Sequence, residues 1–539
     1  MSKVRSFWGW GYKQDELKKA EIKKLSNMLS GFVGIDGKLQ DAPKVEDLKL
    51  PHPNIKLPKS LESLADNFLA QRAQHSYGRS FKDVVRGLNN SFDGAPDAVV
   101  FPKTENDVIN ILEFSEKKNI AVVCYGGGSS VVGGVEMDSD YKQNYSGWIS
   151  LDMSYMNALS EIDTYSRSAK FQTGILGPQL ETKLKKYGLT LRHFPQSFEF
   201  SSLGGWIATR AGGHFAMGPT HIDDLLESVE VITPSGKTVS RRLPASGAGP
   251  DENRLWLGSE GILGIITSAY VKVQPRPIYV AKADILFESF KEGITCLKEI
   301  AQSGLNPSNC RLLDPLEALI NGVSSKNKAV LLLGFESYNN PVNFLYEEAK
   351  KICLRNKGTL ASELITIRGN SESDSSNKSS AAELWKASFI KAPYIRDALV
   401  RLGLIVETFE TAVTWNNFDE LYENVISGVQ RNISKSLKNL GWITCRITHA
   451  YQNGLAPYFS VIAKGDQGSQ ISQWNEIKLI ANETVVKYNG TVTHHHAVGK
   501  DHREAFAKEK SSLYLDYLKA AKTYFDPQTI LNPGTLIKI

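Results

Sequence analysis

A glycine-dense loop constrains this chain more than any other feature. Cys124-Tyr125-Gly126-Gly127-Gly128-Ser129-Ser130-Val131-Val132-Gly133-Gly134 follows the apolar run Ile120-Ala121-Val122-Val123. The run reads as a buried strand. Five glycines in the nine residues 126–134 allow positive φ and bring bare backbone close to a ligand. Successive N–H groups in such a loop form a nest for anionic oxygen, which is chemistry for a diphosphate. About 75 residues on comes a second loop, Phe200-Ser201-Ser202-Leu203-Gly204-Gly205-Trp206, then Arg210-Ala211-Gly212-Gly213. One glycine loop is weak evidence. Two in order, each beside an apolar run and separated by β-rich sequence, are much stronger.

The first loop lacks the Gly-Lys-Ser/Thr close of a P-loop and the helix-opening Gly-x-Gly-x-x-Gly of a dinucleotide fold. At 539 residues the chain is too long for one domain. Its net charge of +5 is spread along the chain and suggests no nucleic-acid partner. No apolar run approaches the roughly 20 residues that span a bilayer, and the N-terminus lacks a signal-peptide core. The five cysteines are scattered, so neither zinc nor a disulfide frame is expected.

Four regions follow. Residues 1–93 read as a helical region and linker: Asp15 stands ahead of Ile22, Leu25, Leu29 and Phe32 at helical spacing, and an aromatic opening (Phe7 to Tyr12) is expected to dock on the core. Residues 94–275 hold the glycine loops. Within Pro96 to Val108, Thr104 and Asp107 read as a capping box. Residues 276–445 alternate strand and helix, as an α+β cap with an antiparallel sheet, and contain the Ser/Asn-rich Gly369 to Ser380, read as a mobile loop. Residues 446–539 add a strand near Pro457 to Ala463 and two helices, and no internal repeat is evident.

The sharpest chemical feature is Thr493-His494-His495-His496-Ala497-Val498-Gly499-Lys500. Imidazole is the side chain best matched to proton transfer near neutral pH. In a strand only His494 and His496 would share a face, which argues against a metal. Arg396 in Pro393 to Leu399 suits a phosphate or carboxylate, with an Arg–Asp surface pair as the plain alternative. Arg311 in Asn309 to Asp314 has the same alternative.

The glycine loops, with their Pro-Asp-Ala-Val-Val entry, resemble the PCMH-type FAD domain of the vanillyl-alcohol oxidase superfamily. Together with Trp8-Gly9-Trp10-Gly11-Tyr12, the histidine trio and Tyr394-Ile395-Arg396-Asp397, the whole chain resembles the alkyldihydroxyacetonephosphate synthases. The resemblance implies an α+β fold, with a two-part PCMH-type FAD domain, an α+β cap and helical terminal segments. It implies FAD on Tyr125, Gly126, Gly127, Gly128, Ser129, Ser130 and Val131, on Pro195, Ser197, Ser202, Gly204, Gly205 and Thr209, and on Glu260, Gly261, Gly264, Ile265 and Ile266. Ser129 and Ser130 stand where many relatives carry a flavin-linking histidine, so the FAD is expected to be non-covalent. It implies exchange of the acyl chain of acyl-dihydroxyacetone phosphate for a long-chain fatty alcohol through a covalent flavin N5 adduct, in ether-lipid synthesis. The catalytic residues it implies are His494, His495, His496, Tyr458 and His193. Arg396, Arg311 and Thr408 are implied to bind substrate, with no metal.

Gln196 departs from the family's Pro-Asp-Ser and leaves the role of His193 in doubt. Long-chain substrates imply peripheral membrane contact, with Trp8/Trp10 or the loop after Gly369 as candidates, and analogy implies a homodimer. A cytoplasmic or membrane-peripheral site is expected in a prokaryote and a peroxisomal one in a eukaryote, although the ending Leu536-Ile537-Lys538-Ile539 carries no such address. The rival is an FAD-dependent D-2-hydroxyacid dehydrogenase of D-lactate or glycolate type. Its carboxylate and histidine ligand segments are altered here, at His449 to Gly454 and at His495.

Overall fold

A computed structural model describes residues 3–35, 38–324, 326–367, 381–438 and 440–539. The Ser/Asn-rich segment expected to be a mobile loop lies outside the described residues.

The apolar run before the first glycine loop forms the strand Ile120–Tyr125. It pairs in parallel with Gly147–Asp152, which pairs in parallel with the entry strand Ala98–Val100. All six residues of the central strand are buried, as a parallel sheet covered on both faces requires. After the entry strand, Thr104 Oγ1 accepts the Asp107 N–H at 3.1 Å and Asp107 accepts the Thr104 N–H at 2.9 Å, the expected capping box of the helix Glu105–Lys118. The second part of this half is a five-stranded antiparallel sheet in the order Leu159–Asp163, Ser168–Gln172, Ile265–Lys272, Leu226–Thr233, Gly236–Val239.

The cap is one eight-stranded antiparallel sheet in the order Thr359–Ile367, Tyr279–Phe287, Ala329–Ser337, Asn309–Leu313, Gly441–Ala450, Gly454–Lys464, Leu404–Glu410, with Val413–Thr414 paired to Gly454–Lys464. The sequence shows no repeat, yet the topology does. A strand, a helix and two further strands recur at 279–337 and again at 404–464, each copy followed by a helix; the first copy adds a short helix, Pro315–Ile320, between its last two strands, and the second the short strand Val413–Thr414. The second strands of the two copies pair antiparallel, Leu312 opposite Ile447.

The proposed boundary between residues 445 and 446 does not survive. It cuts the strand Gly441–Ala450, whose hydrogen bonds to Gly454–Lys464 run its whole length. The C-terminal tail then returns to the other half. Val122 donates to the Ile530 carbonyl and Asn532 to the Val122 carbonyl, both at 2.8 Å.

The aromatic N-terminus docks on the core, as expected: Phe7, Trp8 and Trp10 are 3, 4 and 6% exposed. That burial removes Trp8 and Trp10 as membrane anchors. Asp15 does not cap the first helix. The helix Lys19–Val33 starts with the Lys18 N–H bonded to Glu21 at 2.8 Å, while Asp15 pairs with Lys3. Among the described residues no helix is long and apolar enough to cross a membrane.

Candidate active site

The two glycine loops meet. A Cβ on Gly127 would lie 1.7 Å from the Phe200 carbonyl oxygen, and one on Gly126 would lie 2.2 Å from Ser202 Oγ. Gly128, at φ +69°, would press a Cβ to 1.8 Å from the Tyr125 hydroxyl. Glycine is the residue that fits all three positions. Residues 126–131 and Pro195, Ser197, Ser202, Gly205 and Thr209 line one cavity of about 380 Å3 at the junction of the two halves. A bare backbone cradle opening into a cavity of this kind fits a dinucleotide diphosphate, and FAD in particular.

Seven residues expected at the cofactor do not line this cavity: Tyr125, Gly204, Glu260, Gly261, Gly264, Ile265 and Ile266. Each has a packing reason. Tyr125 is buried against His75, with ring centroids 4.1 Å apart. Gly204 packs on Thr173, and Gly264 meets Val231. Gly261 takes φ +76° in a turn beside Cys124, while Ile265 and Ile266 are core residues of their strand.

Glu260 serves a different purpose. Its carboxylate accepts the Val498 N–H at 2.8 Å and the Gly499 N–H at 2.7 Å. The histidine segment just before them is not a strand. It wraps a second buried carboxylate, Glu410, at the end of the cap strand Leu404–Glu410. Glu410 accepts the N–H of His494 (2.6 Å), His495 (3.0 Å) and His496 (2.8 Å), and the Thr493 hydroxyl at 2.7 Å. One active-site segment is therefore held at both ends by buried carboxyl groups, one from each half of the molecule. Ala497 at φ +75° forms the bend between them.

Burial raises the Glu410 carboxyl, but the three imidazoles and the N–H groups outweigh it and hold the group below the usual carboxylate range. Glu260, with two N–H partners, is pushed up to about 7, mainly by burial. Burial also lowers all three imidazoles, His496 to about 3, so they are neutral at pH 7.

His495 and His496 line the cavity and His494 does not. His494 Nδ1 lies 2.9 Å from His495 Nδ1, and its Nε2 lies 2.6 Å from the Tyr451 hydroxyl and 3.1 Å from His221 Nε2. His449 stands beside them, bonded to Thr448, Gly213 and Thr220. Because the segment is a loop, the strand-alternation argument against a metal fails. The nitrogens of His449, His494 and His495 all lie within 4.8 Å of one another. Hydrogen bonds engage both nitrogens of His449, both of His494 and Nδ1 of His495.

Tyr458 faces the same cavity, its ring centroid 5.4 Å from that of His496. Burial raises its phenol despite Arg446, whose guanidinium lies 3.7 Å above the ring, and despite the Thr408 hydroxyl. Thr408, Arg311 and Arg396 line the cavity too. Arg396 is already engaged, bonding Asp397 at 2.7 Å and the Arg79 carbonyl, while Asp397 also takes the Trp10 N–H at 2.5 Å. Arg311 is buried, and that burial, with Arg446 nearby, lowers it to about 9. Arg446 pairs with buried Glu317 at 2.5 Å. His193 does not itself line the cavity; it is buried, with its ring 5.0 Å from that of Trp206.

Sequence reasoning missed Glu410, Arg446, His221, His449 and Tyr451. Two of these, His449 and Tyr451, lie in the segment His449 to Gly454, which the sequence marks only as an altered dehydrogenase ligand segment. Glu410 and His221 carry no local signal. Apolar side chains extend the cavity away from the histidines: Leu25, Met28 and Leu29 of the first helix, Ile395 and Leu399 of the helix Ala381–Arg401, and Val406, Trp442 and Ile462 of the cap sheet.

The FAD binding domain family matches residues 96–241 and the C-terminal domain family of FAD linked oxidases matches residues 276–536. FAD is accordingly the cofactor. The alkyldihydroxyacetonephosphate synthase of Dictyostelium discoideum is 31% identical over 494 residues, covering 88% of this chain and 79% of that protein. A solved structure of alkyldihydroxyacetonephosphate synthase superposes with a TM-score of 0.80 at 25% identity, covering 98% of each chain. The mitochondrial D-lactate dehydrogenase (cytochrome) of Arabidopsis thaliana, on the side of the rival reading, is 27% identical over 459 residues, covering 83% of this chain and 75% of that protein. By the identity and reach of the first of these matches, the chain belongs to the alkyldihydroxyacetonephosphate synthase family.

Proposed function

We propose that this chain is an FAD-dependent alkylglycerone-phosphate synthase, exchanging the acyl group of acyl-dihydroxyacetone phosphate for a long-chain fatty alcohol without net redox. The observation that carries this beyond family membership is the shape of the cavity. A glycine cradle, two neutral imidazoles with a phenol, buried guanidiniums and an apolar limb are continuous. Each suits one part of the reaction. When bound, FAD would supply the nucleophilic atom for exchange at the dihydroxyacetone carbon.

The residues supply the rest. His495 and His496, neutral at pH 7, are fit to accept the proton from C1. Tyr458, protonated at that pH, is fit to give a hydrogen bond to the departing carboxylate. Arg311, Arg446 and Arg396 all line the cavity and suit the phosphate, with Arg446 and Arg396 held in place by Glu317 and Asp397. The apolar limb suits the acyl and alkyl chains at about 0.8 kcal/mol per buried methylene. Non-covalent FAD and peripheral contact with a lipid surface belong to the same reading. The first is tested by release of flavin on acid precipitation, the second by liposome flotation.

The test of the function is anaerobic incubation of the FAD-loaded protein with palmitoyl-dihydroxyacetone phosphate and hexadecanol, with the ether sought by mass spectrometry. A parallel tube holds D-lactate and a dye acceptor. Ether without dye reduction is expected, and dye reduction without ether overturns the reading.

A further inference from the structure

The synthase reaction leaves a proton over. An ester and an alcohol become an ether and a carboxylic acid, and above about pH 5 that acid is ionised. One proton per turnover must therefore leave a site closed by two halves of the protein.

The structure contains a path. His495 lines the cavity, and its Nδ1 meets His494 Nδ1 at 2.9 Å. His494 Nε2 meets the Tyr451 hydroxyl at 2.6 Å, and that hydroxyl lies 3.0 Å from His221 Nε2. Tyr451 is partly exposed and also lines a separate, open depression on the surface, shared with Asn453, Thr491 and Glu509. The chain of contacts thus begins in the cavity and ends at Tyr451 and His221, two residues that are themselves partly exposed. Each distance is within hydrogen-bonding range.

We propose that His495, His494 and Tyr451 form a proton relay that carries the alcohol's proton from the buried site to solvent; this rests on the synthase reading above. The alcohol gives its hydroxyl proton to His495 Nε2 as its oxygen bonds to C1. His495 passes its Nδ1 proton to His494 Nδ1, and His494 passes its Nε2 proton to the tyrosine oxygen. The tyrosine gives its own proton to His221 Nε2 or to water in the depression. Rotation of the hydroxyl and rings then resets the hydrogen bonds. Each imidazole releases one proton as it takes one, so no buried imidazolium has to persist. Glu410, 3.5 Å from His495 Nδ1 and 3.8 Å from His494 Nδ1, is an ionised partner for the charge in transit. His494 and Tyr451 act here through His495 and are positioning and relay groups, while His495 faces the substrate.

The test is Tyr451→Phe in the FAD-loaded full chain, with His494→Ala beside it. For Tyr451→Phe, flavin content and the KM of both substrates should stay near wild type. Its kcat should fall about tenfold to hundredfold. Added imidazole, a small buffer able to carry the proton, should restore much of that loss in both variants, and the solvent deuterium isotope effect on kcat should rise. Unchanged kcat in both variants overturns the relay. So does a loss that imidazole does not restore while flavin stays bound. A wild-type protein that makes no ether removes instead the reading on which the relay rests.

Discussion

Replacing Glu410 with glutamine tests whether one buried carboxylate shapes the active-site loop. Oε1 accepts three donors, the N–H groups of His495 and His496 and the Thr493 hydroxyl, and Oε2 accepts the His494 N–H. With its carbonyl in the Oε1 position, glutamine turns its amide NH2 toward the His494 N–H. That donor is orphaned at about 1–3 kcal/mol, and the other three bonds lose charge assistance at about 1 kcal/mol each. A neutral side chain is easier to bury, which returns a few kcal/mol. The net expected loss is about 2 kcal/mol, a Tm drop of about 4–8 °C on the scale of a 150–250-residue domain. The histidines shift with the loop, and an ångström of misplacement costs about a hundredfold in rate. Glu410 is held below its unfolded pKa, so its stability is present above about pH 4.3 and is lost as the pH falls through the folded value. The difference between wild type and Glu410→Gln should therefore shrink in acid. Scanning calorimetry across pH and the rate of ether formation are the assays. Equal Tm and equal kcat at pH 7 would refute the reasoning.

Gly127→Ala forces a Cβ to 1.7 Å from the Phe200 carbonyl and must part the two loops. FAD affinity, read by fluorescence titration, should weaken at least about tenfold, roughly 1.4 kcal/mol. Glu260 behaves in the opposite sense to Glu410. Its folded pKa of about 7 lies above the unfolded one, so the folded state holds the proton longer, and stability falls as the pH rises from about 4.3 to 7. The full effect is about 4 kcal/mol at most, and Glu260→Gln should flatten that part of the Tm-against-pH curve. Trp8→Ala should cost about 3–5 kcal/mol as a core truncation and leave liposome flotation unchanged, because Trp8 is buried. Lost flotation at unchanged Tm would contradict that placement.

What the sequence disclosed divides along a physical line. Contiguous signals were legible. The capping box at Thr104 and the strand after Asn119 stand where their residues predict. The two glycine loops could be paired because each carries its own conformational mark. The histidine trio was visible, but its shape was not. Alternation applies to strands, and a backbone wound around a carboxylate 84 residues earlier in the chain leaves no periodicity to read. Glu260 shows the same limit. It lies in a segment that resembles a cofactor contact, yet its side chain turns toward Val498 and Gly499. Arg396 was read both as an anion clamp and as half of an Arg–Asp pair, and the structure contains the pair within the cavity wall. The doubled cap topology stayed hidden because hydrogen-bond order, not residue identity, is what repeats.

The central claim is that an ether oxygen comes from the alcohol while the ester leaves as an intact acid. Hexadecanol labelled with oxygen-18, incubated anaerobically with the FAD-loaded protein and palmitoyl-dihydroxyacetone phosphate, tests it most directly. The account predicts the label in the ether, unlabelled palmitate and no net reduction of flavin. Label in a hexadecyl palmitate ester, or flavin reduction without ether, would contradict it.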